Sequence, residues 1–165
     1  MYKLEGKNLR FVIDGCGRCA SYYNKLTCHE YVLIPGYMWK IIYAMPGTER
    51  VEVPIWAENQ KFVAEVREKE ITLLYDGLIG DEKKKIDAKL TLHFIMAEQG
   101  LRVTSELENR DSFVTLMELQ LTPLSGARSL SGVPENDYIA WPRDLGMRVR
   151  NPAYRDISTY AGFRK

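Results

Sequence analysis

The sequence predicts an all-β protein built as an antiparallel β-sandwich. Three observations predict it. No window of about eleven residues or more carries the 3.6-residue apolar period of an amphipathic helix. About nine to eleven short alternating or apolar stretches follow one another, separated by Gly, Pro, Asn and Asp at the 8–12-residue spacing of sandwiches and barrels. The stretch from Ser125 to Asp144 is rich in Gly, Pro and Ser and interrupts an up-and-down order, which favours a sandwich over a closed barrel.

The elements follow in order. Leu9 to Ile13 is a short apolar run that ends at Asp14-Gly15, a hairpin turn signal. Ala20 to Tyr23 returns as a strand, and Asn24-Lys25 turns again. His29 to Ile34 reads as a strand closed by Pro35-Gly36, and Tyr37 to Tyr43 as another, rich in aromatic and β-branched residues. Arg50 to Ile55 reads as an edge strand, because Pro54 has no N–H to give a ladder. Gln60–Val66 and Glu70–Tyr75 form a pair around Arg67-Glu68-Lys69. Asp76-Gly77 and Ile79-Gly80-Asp81 read as a loop, and Glu82 to Lys85 as a solvated charge run.

Lys85 to Pro123 reads as a three-stranded meander. Between Ile86 and Phe94 the even positions are apolar and the odd ones mostly polar, the period of a strand with one buried face. Glu98-Gln99-Gly100 turns the chain. Leu101, Val103, Ser105 and Leu107 then share one face, and Arg102, Thr104, Glu106 and Glu108 the other. After the turn cluster Asn109-Arg110-Asp111-Ser112, the residues Phe113, Met117, Leu119 and Leu121 are expected on the buried side of the third strand. Tyr138 to Trp141 precedes Pro142, and Leu145 to Arg150 is one more short strand.

The totals restrict the function. With 45% hydrophobic and 27% charged residues, the 165-residue chain has the composition of one globular domain. Lys and Arg number 23 against 22 acids, a net charge of +1, so nothing calls for nucleic acid. No apolar run approaches the ~18–20 residues of a membrane helix, so no membrane partner is expected. The first residues lack the apolar core of a signal peptide, which favours the cytoplasm or excision from a longer chain. Three cysteines cannot all pair within one chain.

Candidate chemistry is sparse. Cys16-x-x-Cys19 with Cys28-His29 could offer thiolates to zinc, but a second CxxC or CxxH is missing; free thiols in a hairpin are the expectation, with no metal and no cofactor. Glu98, Glu106 and Glu108 lie near one hairpin, yet acids alternating with Arg102 and Thr104 are what a solvated strand face looks like. Ser125-Gly126 and Ser131-Gly132 lack the setting of a nucleophile elbow. The richest cluster is Trp141, Arg143, Arg148, Arg150 and Tyr154, with Arg128 upstream. Such residues hold sugars through aromatic faces and charged side chains, and they also dock domains or subunits. Interdomain or subunit contact is the first expectation for them, a plain structural role the second and direct sugar contact the third. No catalytic residue is assigned.

Asp14-Gly15-Cys16-Gly17-Arg18, followed by Asn24-Lys25-Leu26-Thr27 and His29-Glu30-Tyr31, resembles the first hairpin of galactose-mutarotase-like β-sandwich domains. These stand at the N-terminus of large multidomain glycoside hydrolases. Trp39-Lys40-Ile41, Leu107-Glu108-Asn109, Leu119 to Leu124, Trp141-Pro142-Arg143 with Gly146, and Arg150-Asn151-Pro152 are similar to later parts of the same pattern. The resemblance implies a supersandwich fold, which residues 1–165 need not complete, as the N-terminal portion of a longer protein. It also implies a non-catalytic, carbohydrate-associated role beside a glycoside hydrolase domain, with that domain or another subunit as partner. Two rivals remain open: a reduced mutarotase-like aldose epimerase acting through His29 or His93, and a β-barrel carrier of a small apolar ligand.

Overall fold

Period-2 burial in the longest strand sets the layout. In the computed structural model Ile86, Ala88, Leu90, Leu92, Phe94 and Met96 are all buried, and the residues between them face outward. The structure describes residues 1–46, 53–122, 124, 133, 136–141 and 147–150, with backbone alone at 82, 139–141 and 147–150. The chain divides into two compact units, Met1–Gly126 and Ala127–Lys165.

The first unit is an all-β sandwich of antiparallel sheets. One layer is a single sheet in the order β11-β10-β9-β8, formed by β8 (Val63–Arg67), β9 (Glu70–Ile79), β10 (Lys85–Ala97) and β11 (Gly100–Asn109). The facing layer is split. Its first part joins β1 (Tyr2–Glu5), β2 (Leu9–Ile13), β3 (Arg18–Asn24), β4 (His29–Glu30) and β5 (Gly36–Tyr37), with both β4 and β5 paired to β3. Its second part has the order β12-β6-β7, from β6 (Trp39–Ala44), β7 (Val53–Trp56) and β12 (Thr115–Leu121). The chain passes from one part to the other at Met38, whose carbonyl accepts the Thr122 N–H at 2.7 Å.

Aromatic contacts tie the layers together. Phe11 of β2 stacks on Phe94 of β10 with centroids 5.3 Å apart, and Trp39 of β6 meets Tyr75 of β9 edge-on at 4.9 Å. All four rings are at most 2% exposed, so this seam is core, and burying each contributes on the order of 2–3 kcal/mol. Desolvation pushes the Tyr75 hydroxyl up to about 12.

Side chains complete the split layer where the ladders stop. Asp14 Oδ1 accepts the N–H groups of Cys16 (2.9 Å) and Arg18 (3.0 Å), and Arg18 Nε donates to Oδ2 at 2.7 Å. Burial raises the Asp14 pKa, but the Arg18 N–H and guanidinium outweigh it, and the group lies below its ordinary value. Gly17 takes φ +76°, and a Cβ there would stand 3.0 Å from both Phe62 and the Tyr75 hydroxyl, so the turn needs glycine for conformation and for space. Gln60 bridges the layers as a surrogate strand residue. Its Oε1 accepts the Ile79 N–H at 2.8 Å, and its Nε2 donates to the Ile79 carbonyl at 2.8 Å and to the Trp56 carbonyl at 3.1 Å.

Several sequence expectations change. The meander keeps two strands: β10 and β11 pair from Ala97/Gly100 to Ala88/Asn109, but β12 pairs with β6 in the opposite layer. The cause is the turn. Asn109 Nδ2 donates to the Val114 carbonyl, and Asp111 Oδ1 accepts the Phe113 N–H, which carries the chain out of the ladder. Phe113, expected to be buried, is 73% exposed; Met117 sits at a register shift in the β12–β6 ladder and is exposed as well. Asp76-Gly77 is not a loop. β9 continues to Ile79 through a one-residue register shift, with Gly77 at φ +73°. His29 to Ile34 forms only a two-residue ladder, because the Glu30 carboxylate takes the N–H groups of Tyr22 and Val32; Leu33 and Ile34 are exposed. Tyr2–Glu5 is an additional strand, and the described residues hold fourteen strands in place of about nine to eleven. Pro54 does lie on an edge strand, since β7 pairs with β6 alone. The second unit contains the hairpin of β13 (Tyr138–Trp141) and β14 (Met147–Arg150).

Candidate functional site

The cluster singled out in the sequence falls partly on this hairpin. Its ladder pairs Tyr138 with Arg150, Ala140 with Arg148 and Trp141 with Met147. Residues directly opposite share a face and faces alternate along a strand. By register, Arg148 and Arg150 therefore belong with Tyr138 and Ala140, while Trp141 belongs to the other set with Ile139, Met147 and Val149. Arg128, Arg143 and Tyr154 lie outside the described residues.

The fold separates the other sequence candidates, apart from Glu106 and Glu108, which share the outer face of β11. Cys19 is fully buried while Cys16 and Cys28 are exposed, so the CxxC pair does not face one point. Among the described residues no group of three His, Cys, Asp or Glu side chains is placed to hold a metal ion. Glu98 is in the β10–β11 turn, and Glu106 lies six positions up the ladder from Gly100, roughly 20 Å away and beyond any glycosidase carboxylate spacing. Glu106 and Glu108 border a depression of about 110 Å³ with Lys89, Thr91 and Leu107, smaller than the ~300 Å³ at which ligand pockets begin. His29 belongs to β4 and His93 to β10, in opposite layers.

Three outward-facing groups bring together residues that no sequence pattern joins. On the four-stranded sheet, His93 Nδ1 lies 2.9 Å from Glu70 Oε1, with the Thr72 hydroxyl 3.2 Å from the same nitrogen. The bond from His93 holds the Glu70 carboxyl below its ordinary value. On the first part of the split layer, Glu30 accepts the Ser21 hydroxyl, and Arg10 lies over the Tyr23 ring at 4.7 Å. On the second part, Lys40 Nζ stands 5.0 Å from the centroid of the Trp56 ring, which is 53% exposed. The signal for Trp56 was in the sequence: Ile55 is apolar and inward, so the next residue of the strand points out. The expected strand stopped at Ile55 and left Trp56 beyond it.

Set against known proteins, the chain matches no family model and no curated sequence.

Proposed function

We propose that this chain is a non-catalytic β-sandwich module of a carbohydrate-active protein, one that supports a glycoside hydrolase domain. The observation that carries the reading is how the carboxylates are used. Asp14, Glu30 and Asp111 accept backbone N–H groups and hold turns, and Glu70 holds His93. A carboxylate engaged in this way shapes a scaffold; it is not poised to transfer a proton. The all-β sandwich and the resemblance to galactose-mutarotase-like N-terminal domains support the same reading. In it, the segment holding Trp141, Arg148 and Arg150 faces the neighbouring catalytic domain. The two rivals draw less support: the histidines of an epimerase would have to share a cleft, and the carrier's interior would have to be open where Phe11, Phe94, Trp39 and Tyr75 are in contact.

The test is the native polypeptide. An antibody against residues 1–165 should detect a band several-fold larger than 19.0 kDa, and that protein should release reducing sugar from a polysaccharide while residues 1–165 alone release none. Hydrolysis by the 165-residue chain, or accelerated anomer interconversion lost on replacing His29 or His93, would overturn the reading.

A further inference from the structure

We infer that the outer face of β12-β6-β7 is a binding surface for a neutral oligosaccharide, centred on Trp56; the inference rests on the carbohydrate-associated reading above and gives it a site. Trp is a residue whose large apolar area is normally covered. Trp39 follows that rule at 2% exposure, and Trp56 at 53% does not. The ladders place Gln120 opposite Lys40 and Lys40 opposite Trp56, so these three form one row across the outer face. The neighbouring row is Glu118, Ile42 and Pro54.

The side chains in the rows are arranged around the ring. The Lys40 ammonium sits over the indole and fixes it from one side by cation–π attraction. Gln120 Nε2 donates to Glu118 Oε1 at 2.9 Å, which orients an amide and a carboxylate on the same face. An apolar ring beside an ammonium, an amide and a carboxylate suits a pyranose, which has an apolar C–H face and hydroxyls that both donate and accept. Lys40 and Glu118 offset each other in charge, so the surface selects neither an anion nor a cation. The row crosses three strands and spans about 10 Å, the reach of a disaccharide unit rather than of one ring. The outer face of the four-stranded sheet offers no such combination: the outward positions of β9, β10 and β11 hold charged, polar and aliphatic residues without a Trp, Tyr or Phe.

The experiment is affinity electrophoresis of the 165-residue chain through native gels containing xyloglucan, galactomannan or arabinoxylan, followed by calorimetry with oligosaccharides of the retarding polymer. At least one polymer should retard the chain. Trp56→Ala should weaken binding about thirtyfold, the loss expected for a central tryptophan anchor, with unchanged circular dichroism. Gln120→Ala should weaken it by a smaller factor, and Trp141→Ala should bind as the parent does. Retardation by none of the polymers overturns the inference, and so does a Trp56→Ala chain that binds as the parent, including the case in which Trp141→Ala alone abolishes binding. The size of the native polypeptide and its hydrolytic activity are separate readouts, so the site can fail while the module reading stands.

Discussion

The two layers of the sandwich reach the same end differently. The four-stranded sheet is continuous: β9, β10 and β11 are long, their ladders satisfy most of the backbone, and inward and outward residues alternate along β10 and β11 with little interruption. The facing layer is made of shorter strands in two parts, and where its ladders end, the carboxylates of Asp14 and Glu30 supply missing acceptors and Gln60 a donor to the Trp56 carbonyl, the same Gln60 amide also pairing with Ile79 at the end of β9. Buried backbone groups must be paired in either case. Polar substitutions therefore act in different places: on the continuous layer they fall mostly on a solvated face, and on the split layer they fall on groups that stand in for backbone.

Five changes probe that comparison. Phe94→Ala in the continuous layer and Trp39→Ala in the split one should both cost about 3–5 kcal/mol by urea unfolding, since the shared core does not distinguish the layers. Gln60→Leu should cost about 2–3 kcal/mol, because it leaves both polar groups of Ile79 without their partner. Asp14→Asn should cost about 1–2 kcal/mol at neutral pH. This increment has a pH signature. The Asp14 pKa is lowered on folding, so its contribution is present above the ordinary carboxylate value of about 4 and is lost as pH falls through the lower folded value. Parent and variant should therefore converge in stability in acid. His93→Gln should move the melting temperature least, as it alters a partly exposed pair on the continuous sheet's outer face. An Asp14 variant as stable as the parent would erase the distinction between the layers, and a Gln60 variant as stable as the parent would remove the tie between them.

How legible each part was in the sequence follows the same division. Ile86 to Phe94 and Leu101 to Leu107 announced their faces because one residue after another obeys period 2. The β8–β9 hairpin turned where Arg67-Glu68-Lys69 indicated, and Pro54 marked its edge strand. What misled was side-chain capture of backbone. Glu30 ended a strand that Tyr31 to Ile34 should have extended, and Asn109 with Asp111 sent Phe113 away from the sheet it was expected to join. Long-range pairing leaves no local trace, so nothing near Thr115 points to Ala44. For the candidate site, composition found the Trp and Arg residues of the β13–β14 hairpin, but only register separates Trp141 from Arg148 and Arg150. The outward position of Trp56 follows from extending the Ile55 strand by one residue, but its row with Gln120 depends on β12, which no local pattern brings beside β6.

That crossing also orders events in time. Hairpins such as β8–β9 and β10–β11 close between neighbours in sequence, whereas β6 must wait for β12, a partner made far later in the chain. Closing so large a loop loses entropy before any contact offsets it, so this pairing is a late step in folding. Until it happens, β6 and β7 are an incomplete ribbon, with Lys40 lacking Gln120 beside it. The Trp56 surface is therefore complete only once this pairing has formed, and a newly made chain cannot acquire it before β12 has been made.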